Sequence, residues 1–370
     1  MTHGNSGLTI SAVGDIMLGD LPACSGFGVG SMIAKYGPDF PFAKCKGVFT
    51  GSDIAIGNLE VVLSRFNPKT DPFAKTHLRA QPEAIEGLVS AGINCVTLAN
   101  NHIMQHGMAA VLETADHLIS KGIAFTGIEY PDRDMRNLRI LEKNGFRVGM
   151  LGYNFRPEQY TVSPRIDVAG SEQRICNDIE SVRSQVDIIV LSLHWGEEFI
   201  NRPSGEQVRL GRKFIDSGAH IILGHHPHIL QGVERYRGRV IAYSLGDFVF
   251  DLWDEPLRKS MILRMQVRNV NDVIYDIIPA VINRDWQPVL AEGDDAIRLK
   301  KEIEQLATLI DPDANQSEWE QEVARELHRF RQGVYSHYLK NLHRFGIRRL
   351  WAIAQGIVSN RITRKEPPSS

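Results

Sequence analysis

The sequence predicts a layered α/β protein, a sheet with helices on its faces, with a helical extension at its C-terminal end. Three observations predict it. Short runs rich in Val, Ile and Leu alternate with helix-length segments from Leu8 to about Asn283, the pattern of sheets carrying helices on their faces. Polar and ionisable residues gather where those runs stop. Past Asn283 the chain turns to charged helical sequence, which places a boundary near residue 290, with residues 1–290 as the α/β domain and 291–370 as the extension.

In chain order, the strand-length runs are "LTISAVGD" from Leu8, "DIAIGNLE" from Asp53, "INCVTLANNH" from Ile93, "FRVGMLGYN" from Phe146, "VDIIVLSLHWG" from Val186, "HIILGHHPH" from His220 and "RVIAYSLGDFVF" from Arg239. Each is apolar and β-branched enough to be a strand. Between them, "PEAIEGLVSAG", "GMAAVLETADHLISKG" and "EQVRLGRKFIDSGAH" carry helical periodicity. "SMILRMQV" and "DVIYDIIPAVIN" read as two closing strands joined by the turn "RNVND". In the extension, "DDAIRLKKEIEQLATLI" and the stretch from Asn315 read as helices separated by the turn "DPDAN". The terminal "RKEPPSS" is expected to fray.

Composition narrows the partners. The 370 residues are 43% apolar and 23% charged with a net charge of −2, so no global charge draws the chain to nucleic acid or to a membrane. Cys24, Cys45, Cys95 and Cys176 are scattered and form no C-x-x-C pair, which reads as reduced, packed thiols. "MTHGNSGLTISAVGD" has neither a basic nor an apolar leader region. No apolar run reaches the ~18 residues of a membrane-spanning helix. A cytoplasmic protein is the expectation.

Asp15, Glu60, Asn101 with His102, His194, and His226 with His228 each sit at or just beyond the C-terminal end of a strand-length run. In open α/β sheets ligands collect outside those ends, so five strands point to one pocket. Oxygen and imidazole donors suit divalent zinc, manganese or iron. A carboxylate shared by two such ions, ~3.5–4 Å apart, makes a centre for hydrolysis. His226-x-His228 puts both imidazoles on one side if the chain there is extended; His225 then points away and supports the loop. Asp15 after a glycine also suits a turn or a helix cap. Glu60, between Leu59 and Val61, is costly to bury unless paired or ligating.

The ordered blocks "GDIMLGD", "GNLE", "LANNH", "LHWGEEF", "GHHPHILQGVE" and "YSLGDF" resemble the signature of the bacterial capsule-synthesis protein CapA family, within the calcineurin-like metallophosphoesterase superfamily. The resemblance covers roughly residues 8 to 285. It implies a metallophosphoesterase-like fold, a layered β-sandwich flanked by helices, holding one or two divalent ions through Asp15, Glu60, Asn101, His194, His226 and His228. His102 would be the proton donor to the leaving group, and Asp15 would belong to the catalytic set as well as the metal set. The implied activity is hydrolysis of a phosphoester or amide bond in capsule, poly-γ-glutamate or exopolysaccharide synthesis, on a small-molecule, polymer or peptide substrate. Met17 replaces the first-motif histidine usual in the superfamily, as in CapA-like proteins generally, while two positions depart from the CapA pattern itself: Gln105 followed by His106 replaces an aspartate, and Asp247 replaces an asparagine.

Two other functions fit the same residues. Without metal, Asp15, Glu60 and the histidines could exchange a proton at an activated carbon, as an epimerase does. Alternatively the chain is a non-catalytic accessory subunit of a membrane-associated polymer synthase. Residues 339–365 motivate that last reading: Leu339, Leu342, Leu350, Ile353 and Ile357 are helically spaced among Lys340, Arg344, Arg348, Arg349, Arg361, Arg364 and Lys365. Such a basic amphipathic helix either docks on the core or lies on an anionic membrane face. Arg202, Lys75 and Arg79 are candidate grips for an anionic substrate. Asp53 is expected to open its strand, Glu197 and Glu198 to support the pocket or face solvent, and Trp195 to line a groove or pack. His3, His77, His117, His220, His337 and His343 belong to no constellation.

Overall fold

A computed structural model describes residues 7–66, 78–156 and 165–345. The first half contains β1 (Leu8–Ile16), α1 (Val29–Tyr36), β2 (Ile54–Leu59), β3 (Val62–Leu63), β4 (Arg79–Ala80), α2 (Ile85–Ala91), β5 (Cys95–Thr97), α3 (Gly107–Ser120), β6 (Ala124–Thr126), β7 (Arg139–Lys143), β8 (Phe146–Asn154) and α4 (Glu172–Val182). There follow β9 (Ile188–His194), α5 (Gly205–Ser217), β10 (Ile221–His225), β11 (Val233–Tyr236), β12 (Arg239–Ala242), β13 (Asp247–Val249), β14 (Lys259–Asn269), β15 (Asp272–Ile282), β16 (Pro288–Leu290), α6 (Gly293–Gln305) and α7 (Gln316–Asn341).

Two sheets dominate. The first runs β16-β15-β14-β1-β2-β5-β6, with β13 also paired to β1; the second runs β11-β12-β10-β9-β8-β7. β1, β2, β5 and β6 are mutually parallel, as are β8, β9, β10 and β12, while β14 and β15 close the first sheet as an antiparallel hairpin. Period-2 alternation explains how the sheets stack. Ile188 and Val190 of β9, Ile221 and Leu223 of β10, and Val240 and Ala242 of β12 share one core with Leu8, Ile10 and Ala12 of β1. The alternate residues Ile189, Leu191, Ile222 and Ile241 belong to a second core with Ile179 of α4 and Phe214 of α5. A third core joins Val13 and Val96 to Leu88 of α2 and Val111 of α3. The layers are therefore helix, sheet, sheet, helix: the expected sandwich flanked by helices.

The helix ends have local causes. Ser204 and Gln207 form a reciprocal capping box at the start of α5, satisfying amides that the first turn leaves unpaired. Ser171 caps α4 from one side, its hydroxyl accepting from the Arg174 amide.

Beyond residue 290 the chain packs back on the sandwich. Leu299 and Ile303 of α6 enter the core between the sheets. Along α7, Phe330 stacks on Phe199 at 4.0 Å, and Glu322 and Arg329 pair with Arg202 and Asp254 at 2.6 and 2.7 Å. Leu339 and Leu342 are exposed at its end; residues 346–365 of the basic stretch lie outside the described residues, as do Lys75, His3 and His77. Among the described residues no helix is long and apolar enough to cross a membrane. All four cysteines are unbridged, and Cys24, Cys45 and Cys95 are buried.

Candidate metal centre

Every residue expected at the pocket arrives there. Asp15 is the penultimate residue of β1 and is paired in register with Asn58 on β2, Glu60 directly follows β2, and His194 and His225 are the last residues of the adjacent strands β9 and β10. Asn101 and His102 lie in the turn between β5 and α3. Carboxylates thus come from the first sheet and most imidazoles from the second, so the site bridges the two at their strand ends. Asp15, Glu60, His194 and His226 are at most 1% exposed, and Asn101 and His228 4%, which demands polar or ionic compensation.

The distances supply it in part. Asn58 Nδ2 donates to Asp15 Oδ1 at 2.8 Å and to Glu60 Oε2 at 3.3 Å. Asn100 Nδ2 in turn donates to Asn58 Oδ1 at 3.1 Å and the Leu59 carbonyl at 2.9 Å. His194 Nε2 lies 3.0 Å from Asn101 Oδ1. His228 Nδ1 donates to Asp247 Oδ1 at 2.9 Å, and its Nε2 lies 3.7 Å from Glu60 Oε1. His102 Nε2 stands 3.6 Å from the same Glu60 oxygen, with its side chain 13% exposed.

Two expectations about the histidine loop need correction. The chain at 226–228 is not extended: His226 and His228 both have positive φ, 97° and 56°, a conformation costing on the order of 1–3 kcal/mol for a side-chain-bearing residue. Both rings still face the carboxylates, through a turn rather than through strand alternation. His225 does not point away. As the last residue of β10 beside His194, it donates from Nδ1 to Asp15 Oδ1 at 3.1 Å, while the His226 amide donates to Asp15 Oδ2 at 3.2 Å. The "HHPH" stretch therefore grips Asp15 from two successive residues.

Electrostatics follow from this packing. Burial alone would raise the Asp15 carboxyl, but the His225 hydrogen bond, the charges of His225 and His228, and Asn58 hold it below the usual carboxylate range. Burial, then the Asp15 charge, pushes Glu60 well up. Burial and neighbouring imidazoles push His194 and His226 well down, towards neutral, ligating forms. His228 is raised despite burial, because Asp247, Glu60 and Asp15 surround it. Burial raises Asp247 to about 7 against the pull of His228.

Do these residues fit a divalent ion? Three sets of potential ligand atoms, each within 4.8 Å of one another, overlap here: Glu60, His194 and His226; Asp15, Glu60 and His228; and Glu198, His226 and His228. Buried Glu60 Oε1, Asp247 Oδ2, His225 Nε2 and both ring nitrogens of His226 make no hydrogen bond. Native interiors rarely leave such atoms unpaired. A cation among these hard oxygens and imidazoles would satisfy Glu60 and one ring nitrogen of His226 together, so the donor set fits.

Other expectations settle less evenly. Met17 is buried in the helix-side core with its Sδ against the Gly19 amide. Arg202 is engaged with Glu322 through Nε and Nη2; Arg79 donates to the Ser64 carbonyl. Asp53 accepts from the Thr9 amide beside its strand. Trp195 packs, donating to the Tyr243 carbonyl. Glu197 forms a two-armed pair with Arg156. Sequence reasoning misses Asn58 and Asn100, gives the ligand-set member Glu198 only as a support or a solvent-facing residue, and gives Asp247 only as a departure. Asn58 had a usable signal: two positions before Glu60, it shares a face with it if the strand period continues.

Fold and site define a class: a two-sheet α/β sandwich with a buried carboxylate–imidazole centre across its strand ends. Within that class the chain belongs to the bacterial capsule synthesis protein PGA_cap family, whose sequence model matches residues 9–252. It is similar to the capsule biosynthesis protein CapA of Bacillus anthracis, 28% identical over 312 residues covering 81% of this chain and 73% of that one. It is likewise similar to the PGA biosynthesis protein CapA of Bacillus subtilis, 29% identical over 289 residues covering 76% and 73%. A 5′-nucleotidase structure from Candida albicans aligns over 90% of this chain and 59% of its own at 10% identity, with a TM-score of 0.41.

Proposed function

We propose that this protein is a divalent-metal-dependent hydrolase of phosphoester or amide bonds acting in the synthesis of capsule, poly-γ-glutamate or a related exopolysaccharide. The observation that carries the reading is the sharing of Glu60 between two ligand sets, one with His194 and His226 and one with Asp15 and His228. Asn101, whose Oδ1 is 3.0 Å from His194 Nε2, completes the first set. Zinc, manganese and iron all suit these donors. The chemistry such ions supply when bound is polarisation of a phosphoryl or carbonyl oxygen and a water pKa brought to about 7.

The chain's own residues do the rest. Asn58 and His225 orient the Asp15 carboxylate. Asp247 fixes the tautomer of His228 by accepting from Nδ1, which leaves Nε2 for ligation. His102, the partly exposed imidazole beside Glu60, hands a proton to the leaving group.

Elemental analysis of the purified chain with anomalous scattering at the site, alongside turnover of an aryl phosphodiester and an aryl amide, tests this. One or two ions per chain are expected, with chelator-sensitive turnover; the Asp15→Ala, His226→Ala double variant should lose the metal and at least ~100-fold of the rate. A double variant with full metal and full rate refutes the proposal. Turnover indifferent to chelator points instead to metal-free acid–base chemistry such as epimerisation.

A further inference from the structure

His102, Glu198 and His228 also form one end of a cleft of about 250 Å3 whose remaining walls are apolar. Phe250 presses edge-on against the His228 ring, centroids 4.9 Å apart, so aromatic surface begins directly at the centre. From there Leu252 and Trp253 continue one wall, and Phe330, Val334 and Tyr338 of α7 supply the other. That second wall is held in place: Phe330 stacks on Phe199 at 4.0 Å, and Trp253 stacks on His337 at 3.8 Å. Among the described residues no lysine or arginine lines the cleft, and its one carboxylate is Glu198.

This composition selects a ligand by exclusion as well as by attraction. A carboxylate or phosphate placed between Leu252 and Val334 would surrender its hydration with no cation to replace it. An alkyl chain or aromatic ring gains from the same surroundings. An apolar cavity of about 150 Å3 already accommodates benzene, so this cleft admits a larger group. We propose that the cleft is a substrate subsite, and that the group it takes, joined to the bond that is cut, is uncharged and apolar. The inference rests on the hydrolase reading for the position of that bond, and it narrows the substrate: whatever anionic polymer the pathway makes, its charged units do not occupy this cleft.

Calorimetric titration of the full, manganese-loaded chain tests it with n-alkylphosphonates from ethyl to octyl, benzylphosphonate, n-alkanols from butanol to octanol, and a short γ-linked glutamate oligomer. Affinity should rise about fourfold per added methylene until the cleft is filled, benzylphosphonate should outbind ethylphosphonate, and the glutamate oligomer should bind more weakly than octylphosphonate. Val334→Trp, which fills the cleft from α7, should flatten the alkyl series, whereas Val334→Ala should preserve it. If Val334→Trp fails to fold, the wild-type series alone decides. A flat wild-type series, a gain that survives Val334→Trp in the folded variant, or tighter binding of the oligomer overturns the proposal. If the alkanols show the methylene gain and no phosphonate binds, the metal reading fails and the subsite stands. If phosphonates bind without a methylene gain, the subsite fails and the centre stands.

Discussion

A single buried histidine away from the centre shows how tightly a side chain's protonation can be tied to this fold. His220 lies just before β10, and its Nδ1 accepts a hydrogen bond from the Ile189 amide at 3.0 Å. Only an unprotonated Nδ1 can accept, and burial, aided by the Arg239 charge, pushes the pKa down to about 4. The unfolded chain takes up the same proton near 6.5. Between those values the unfolded state binds more protons than the folded one, so stability falls as pH falls. His220 therefore contributes fully above about pH 6.5, and a contribution of about 3 kcal/mol is lost as the pH drops to about 4. In urea titrations at several pH values across that window, His220→Gln, which keeps an acceptor without a titrating ring, should show a shallower loss than the wild type. Identical slopes would mean that the imidazole takes up its proton without losing the amide.

At the level of elements, the centre depends on two backbones approaching more closely than side chains allow. A Cβ on Gly14 would stand 1.9 Å from the Gly246 carbonyl oxygen and 2.7 Å from that of Leu245. The Asp15 amide donates to the Gly246 carbonyl at 2.9 Å, and this contact sets β13 beside β1 with Asp247 opposite Asp15. Gly14→Ala should force the strands apart, costing about 3 kcal/mol, the upper end of overpacking penalties, and lowering metal content by separating Asp247 from His228. Thermal melts and elemental analysis check both effects; a variant with unchanged melt and metal shows that the contact relaxes cheaply. The same contact marks where the sequence stops being legible. Strands β8, β9, β10, β14 and β15 announce themselves through long apolar runs, and α4 has a readable Ser171 cap with Ile175, Ile179 and Val182 in helical spacing, although the strand-by-strand reading passes over it. Which strand joins which sheet is not written locally. The parallel pairing of β13 with β1 brings together residues 232 positions apart, and the turn at which the His226 amide meets Asp15 has positive φ at His226, which a bulky residue gives no warning of.

Across the whole molecule the centre acts as a cross-sheet joint. Asp15, Glu60 and Asp247 belong to the first sheet and its connections, and His194, His225, His226 and His228 to the ends of strands in the second. Elsewhere the two sheets are held by an apolar core, which adheres without direction; here the contact is ionic and specific in geometry. Burial, and after it the repulsion among three carboxylates enclosed together, raises Glu60 and Asp247. A divalent ion that binds only the folded arrangement would remove that repulsion and tie the sheets at their strand ends. Linkage sets the size of the effect: at a free metal concentration of 100 times Kd the folded state gains about 2.7 kcal/mol. For a chain of this size that is a rise of a few degrees in Tm. Adding manganese or zinc to chelator-stripped protein should therefore raise Tm in proportion to the logarithm of metal concentration once the site is saturated. The Asp15→Ala, His226→Ala variant, which removes one ligand from each sheet, should show no such rise. Loss of the response in Asp15→Ala and in His226→Ala taken singly would place the joint across the sheets, because each substitution leaves the other sheet's ligands intact. A response retained when either sheet's ligand is missing would confine the ion to one sheet and undo the idea of a joint.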